Sequence, residues 1–95
     1  MGEEQKLADE VTNALAAYEI LWPYMIVNSW SLIGGMHDKD LVVEISDGHS
    51  RKALTFHYNW LLLLEQPATC ILTLMSDASG QIWREARRRA LDEII

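Results

Sequence analysis

One cysteine, two prolines and only eight lysines and arginines stand in this 95-residue chain, and each scarcity excludes something. The lone Cys70 has no partner for an internal disulfide, and on an apolar stretch a thiol behaves as a small hydrophobe rather than a nucleophile. Fourteen acids against eight bases give a net charge of -6, which opposes non-specific binding to nucleic acid and to anionic membranes. No secretory leader is visible, so a cytoplasmic location is expected. The pair Gly34-Gly35 lacks the further glycines and the following helix of a phosphate loop, and reads as turn chemistry leading through Asp40. Residues 14–33 approach the length of a membrane span. They contain Glu19, Pro23, Asn28, Ser29 and Ser31, however, and Trp22 and Trp30 sit centrally rather than at the edges, so a membrane span is set aside.

Hydrophobic residues make up 49% of the chain and four residues are tryptophan, a composition that predicts one globular domain over residues 1–95. Its organising stretch is 41–75. Leu41, Val43 and Ile45 alternate with Glu44 and Ser46, and Leu54, Phe56, Tyr58 and Trp60 alternate with Thr55, His57 and Asn59, the period of two strands. Between them lies Asp47-Gly48-His49-Ser50. A two-residue Asp-Gly turn would set Val43 opposite Lys52, whereas a four-residue loop sets Val43 opposite Leu54 and Leu41 opposite Phe56 and keeps one face apolar. The longer loop is therefore expected.

Leu61 to Leu64 is apolar at both parities, which fits a strand buried on both faces or a short helix. Residues 65–68 read as a turn and Thr69 to Met75, rich in β-branched residues, as a returning strand that pairs Leu61 with Leu72 and Leu63 with Cys70. One long helix from Pro67 through Gly80 competes with it, because Ile71, Met75, Ala78 and Ile82 also keep helical spacing. Leu7, Val11, Ala14, Tyr18 and Leu21 predict an amphipathic helix over residues 3–21, ended by Pro23. Residues 24–33 fit a first strand, with a helix continuing past the proline as its competitor. Ser76 as N-cap, then Ala78, Ile82, Ala86, Ala90 and Ile94, predict a closing helix with Trp83 at its edge. The expected fold is α+β: an N-terminal helix, an antiparallel meander of three to four strands and a C-terminal helix, both helices on one face.

No arrangement carries chemistry. His37, Asp38 and Asp40, or His49 with His57, match no metal-ligand spacing, and Ser50 with His57 resembles no nucleophile elbow, so no catalytic residue, metal or cofactor is assigned. Arg84, Arg87, Arg88 and Arg89 read as a solvated helix face, although Leu91 and Ile95 on the same side as Arg84 and Arg88 mix apolar with basic character, as protein contacts do. Most of the tryptophans read as core, with Trp22, at a helix-to-strand junction, the least so.

Two functions are consistent with these residues. The first is a non-enzymatic interaction module, a small acidic adaptor, chaperone-like subunit or inhibitor, that buries Leu61, Leu63, Leu72 and Leu74 against a second copy, as a homodimer, or against a protein partner. In one variant the acids Glu3, Glu4, Asp9 and Glu10 occupy the basic groove of a nucleic-acid-binding enzyme. The second is a small-molecule binder or small enzyme with an aromatic cavity between sheet and helices and His57 or Tyr58 as polar handles. A flat apolar face would favour the first and an internal pocket the second.

Overall fold

Apolar residues at alternating positions can bury only one side of a strand, and the sheet that results here needs a helical layer to complete its core. The computed structural model describes residues 2–35 and 38–94, with side chains from Gln5 onward. In chain order these form α1 (Gly2–Leu21), β1 (Ile26–Gly34), β2 (Lys39–Ser46), β3 (Arg51–His57), α2 (Tyr58–Leu62) and α3 (Pro67–Ile94). The three strands are an antiparallel meander in the order β1-β2-β3. Of the expected three to four strands, three form. The first helix stops at Leu21, ahead of Pro23, and the chain re-enters as the strand β1 rather than as a kinked helix.

The register across β2 and β3 is the one that keeps a single apolar face. Leu41 opposes Phe56 and Val43 opposes Leu54, with residues 47–50 as the loop. Leu41, Val43 and Ile45 are fully buried, Phe56 nearly so, and Leu54 packs half-buried against them. Ile45 faces Lys52 across the ladder. That cation sits at the margin of the apolar face, where its ammonium donates to the Gln81 side-chain carbonyl of α3 while its stem runs over apolar surface. Within the loop the Asp47 carboxylate accepts the backbone N–H groups of His49 (2.9 Å) and Ser50 (2.7 Å), and Gly48 takes the positive φ of +95° that this turn requires.

One expected strand is not formed, and another is shorter than expected. β3 ends at His57, and Tyr58 to Leu62 coil into α2, because Tyr58 and Leu61 at helical spacing are the buried members while Trp60 and Leu63 face outward. Thr69 to Met75 is not a returning strand but the first part of α3, so the pairings of Leu61 with Leu72 and of Leu63 with Cys70 do not exist. The energetic reason is the seam Ile71, Met75, Ala78 and Ile82, each at most 3% exposed. Burying its larger members contributes about 1.5–3 kcal/mol apiece, against a β-propensity preference of at most ~1 kcal/mol. Pro67, fixed at a helical φ, opens this helix. Ser76 consequently lies mid-helix and is not an N-cap.

The seam ends before the helix does. Ala86 is half-buried, and from Arg87 to Ile94 every residue of α3 is exposed. At about 1.5 Å per residue, the exposed residues 87–94 extend α3 on the order of 12 Å beyond its last half-buried residue. The radius of gyration, 15.0 Å, and the extents of 55 × 26 × 18 Å accordingly exceed a compact chain of this length, for which roughly 12 Å is expected. Phe56 joins the sheet to the helical layer, and its replacement by Ala is expected to cost about 3–5 kcal/mol. Urea unfolding followed by far-UV circular dichroism measures this, and a loss under ~1 kcal/mol would place Phe56 outside the core.

Candidate interaction surface

The helical layer is locked by side chains that the sequence places on one flank of α1. Glu10 accepts the Ala68 backbone N–H at 3.0 Å, so a carboxylate from α1 occupies the N-terminal end of α3, where the helix dipole favours it. Tyr18 and Ser79 are both fully buried, their oxygens 2.5 Å apart. Ser79 gives its proton to the Met75 carbonyl (2.8 Å), which makes the Tyr18 phenol the donor in the pair. Burial pushes the Tyr18 pKa up from its ordinary value. Trp22 Nε1 donates to Ser76 Oγ at 3.2 Å. Moving along α1 from Glu10 to Tyr18 moves the contact along α3 from Ala68 to Ser79, so the two helices run side by side in the same direction.

Where α1 ends and α3 continues, a cleft of about 350 Å³ opens. Trp22, Tyr24 and Met25 from the α1–β1 junction form one wall, and Ile82, Trp83 and Ala86 of α3 the other. Tyr24 is 90% exposed and Trp83 56%. Arg87 lies over the Trp83 ring, 5.2 Å from its centroid, and Arg89 donates to Ser50 Oγ at 3.0 Å, linking the projecting helix to the β2–β3 loop.

Beside the cleft runs β1, which has a neighbour on one side only. Its sequence, Ile-Val-Asn-Ser-Trp-Ser-Leu-Ile-Gly, contains no charge and no proline, and every residue is exposed except the half-buried Val27. Trp30 opposes Val43 and Leu32 opposes Leu41. The two β2 side chains are fully buried, yet Trp30 remains 39% and Leu32 40% exposed. The core therefore continues onto β1 and is open there.

The residues expected from the sequence to make contacts fall elsewhere. Leu61 is fully buried, Leu72 half-buried, Leu63 and Leu74 exposed; all four are in or beside helices rather than on a sheet face. Arg84, Arg88 and Leu91 lie exposed on α3, with Arg84 donating to the Gly80 carbonyl at 3.3 Å. Among the acids, Asp9 is exposed and accepts from Gln5 at 3.1 Å, and Glu10 is committed to the start of α3. Glu3 and Glu4 begin α1, but their side chains, like His37, lie outside the described residues. His57 Nε2 is 3.4 Å from Asp38 Oδ1, and both side chains are largely exposed. Tyr58 is buried, with Lys39 over its ring at 5.7 Å. Cys70 is half-buried on α3, its thiol pKa raised by burial. None of the four tryptophans is fully buried, against the expectation that most form core.

Among the described residues, no group of three or more His, Cys, Asp or Glu side chains could hold a metal, and no helix is long and apolar enough to cross a membrane. No family model, curated protein or solved structure matches the chain.

The site depends on the lock between α1 and α3, which can be tested through its phenol. An acid whose folded-state pKa is raised stabilises the fold fully below the unfolded value, here near 10.0, and that stability is lost as pH rises through the folded value. Tyr18→Phe is expected to cost about 0.5–1.5 kcal/mol near neutral pH. It should also lose part of the fall in stability that the parent shows above about pH 10. Urea midpoints across this range check both, and identical alkaline slopes in the two proteins would remove Tyr18 from this role.

Proposed function

We propose that the protein is a non-enzymatic interaction module that works in an associated form, as a homodimer or with a protein partner. The observation that carries this reading is the number of exposed large hydrophobics on and beside one edge strand. Trp30 and Leu32 stand on the core side of β1, Ile26 and Ile33 on its other side and Leu21 and Tyr24 just before it, each between 39% and 90% exposed. Scattered single exposures are ordinary, but this many on an uncharged edge strand of a small domain mark a contact site. Its occupant would shield surface whose full burial is worth about 1.5–3 kcal/mol per large side chain. An adaptor, chaperone-like subunit or inhibitor would each use such an edge. Leu63 and Leu74 remain exposed, Leu74 beside β3 rather than β1, and Leu61 is already enclosed.

A second reading, a small-molecule binder, is favoured by the cleft between Trp22, Tyr24 and Trp83, whose volume of about 350 Å³ lies at the lower end of ligand sites. Its walls offer aromatic faces, and neither His57 nor Tyr58 lines it.

Sedimentation equilibrium over a wide concentration range tests the first reading. The expected mass exceeds the 10.9 kDa of one chain, and a single-chain mass at every concentration would overturn self-association. The second predicts that anilinonaphthalene sulfonate binds at one site per chain and loses that site in Trp83→Ala. Binding unchanged by Trp83→Ala would set the cleft aside.

A further inference from the structure

We propose that β1 pairs with β1 of a second copy, antiparallel about a two-fold axis at Ser31, to make one continuous six-stranded sheet. This rests on the interaction reading above and names its partner and register.

Three observations select a second copy and this edge. The two edges of the sheet differ. β3 carries Arg51 and Lys52, charged residues of the kind that keep an edge from pairing, whereas β1 has no charge and no proline over its nine residues. The core is also open at β1: buried Val43 and Leu41 adjoin half-covered Trp30 and Leu32. The strand is moreover self-complementary. The ladder is irregular between Val27 and Ser29, which leaves Ser29 to Gly34 as its regular part, and a two-fold normal to the sheet must return each face to itself. Centring at Ser31 sets Trp30 opposite the partner's Leu32 and Leu32 opposite the partner's Trp30, two aromatic–aliphatic cross-strand pairs that prolong the apolar face. Centring one pleat further on would set Trp30 opposite Gly34 and waste the contact. The pairing itself brings together the exposed parts of Trp30, Leu32 and Ile33, on the order of 250–300 Å² per copy, and the free backbone edge of the strand, a smaller contact than the roughly 800 Å² per partner of a standard interface. Because β1 has only one free side, the pairing is closed and stops at two copies.

Ser31 is exposed, so changing it disturbs no packing, and it lies on the axis, where any new charge meets its own copy about 5 Å away. Ser31→Glu alone, and Ser31→Lys alone, are each expected to weaken the dimer at least about tenfold, and an equimolar mixture of the two to restore it. The readout is sedimentation equilibrium of each protein and of the mixture, with thermal melts to establish folding. A second pair of variants reads position by cross-linking in a Cys70→Ala background: Ser31→Cys is expected to give a covalent dimer with a short thiol cross-linker, and Trp83→Cys to give none. Wild type that is a single chain throughout would overturn both this pairing and the self-association reading. A dimer that ignores both charges, or that cross-links through position 83 and not 31, would overturn the pairing and leave that reading in place.

Discussion

The buried contact between Tyr18 and Ser79 is the constraint on which the rest of the arrangement depends. A hydroxyl removed from water without a partner costs about 1–3 kcal/mol, so two such groups in an apolar layer fix each other's position along their helices. Ser79 is already bound to its own helix through the Met75 carbonyl. The phenol must come to it, and α1 is thereby held at one register on α3. That register brings Glu10 to the start of α3 and Trp22 beside Ser76. It also leaves α1 ending while α3 runs on, which opens the cleft between Trp22 and Trp83.

The two-helix layer closes the core over β2 and β3, where Leu41, Val43, Ile45 and Phe56 are buried. It does not close it over β1, whose core-side Trp30 and Leu32 stay part-exposed. Edge position alone does not set the imbalance, since β3 is also an edge strand: its Phe56 is buried and its Leu54 packs against the core, whereas Trp30 and Leu32 of β1 are only partly covered. The charged residues of β3 make its edge a poor template, and Lys52 is further occupied with Gln81. β1 has no comparable protection.

Most of the architecture was legible in the sequence because it rests on periodicity. The four-residue loop followed from keeping Lys52 from facing Val43, and the observed ladder has Val43 facing Leu54. The end of α1 followed from Pro23. Thr69 to Met75 misled because its β-branched residues and its helical seam point opposite ways. The seam prevails through contacts to α1 and the sheet, tertiary information that local composition does not contain. The assignment of Leu61 and Leu72 to an exposed sheet face fell with that strand. The open edge had a signal that went unused: residues 26–34 carry no charge in a chain of which 23% of residues are charged. Whether such a strand is central or at an edge depends on topology, and periodicity alone does not distinguish the two.

The acid surplus and the open edge act against each other. At a net charge of -6, two copies repel at long range, which opposes indiscriminate contact. At physiological ionic strength that repulsion decays over about 8 Å, so it bears least on a contact whose own residues are neutral. β1 meets that condition along its whole length. The cations of α3 reinforce the separation, since Arg87 lies on Trp83 and Arg89 is bonded to Ser50. Charge thus disfavours contact over most of the surface and disfavours it least at the uncharged strand, where the core is also open.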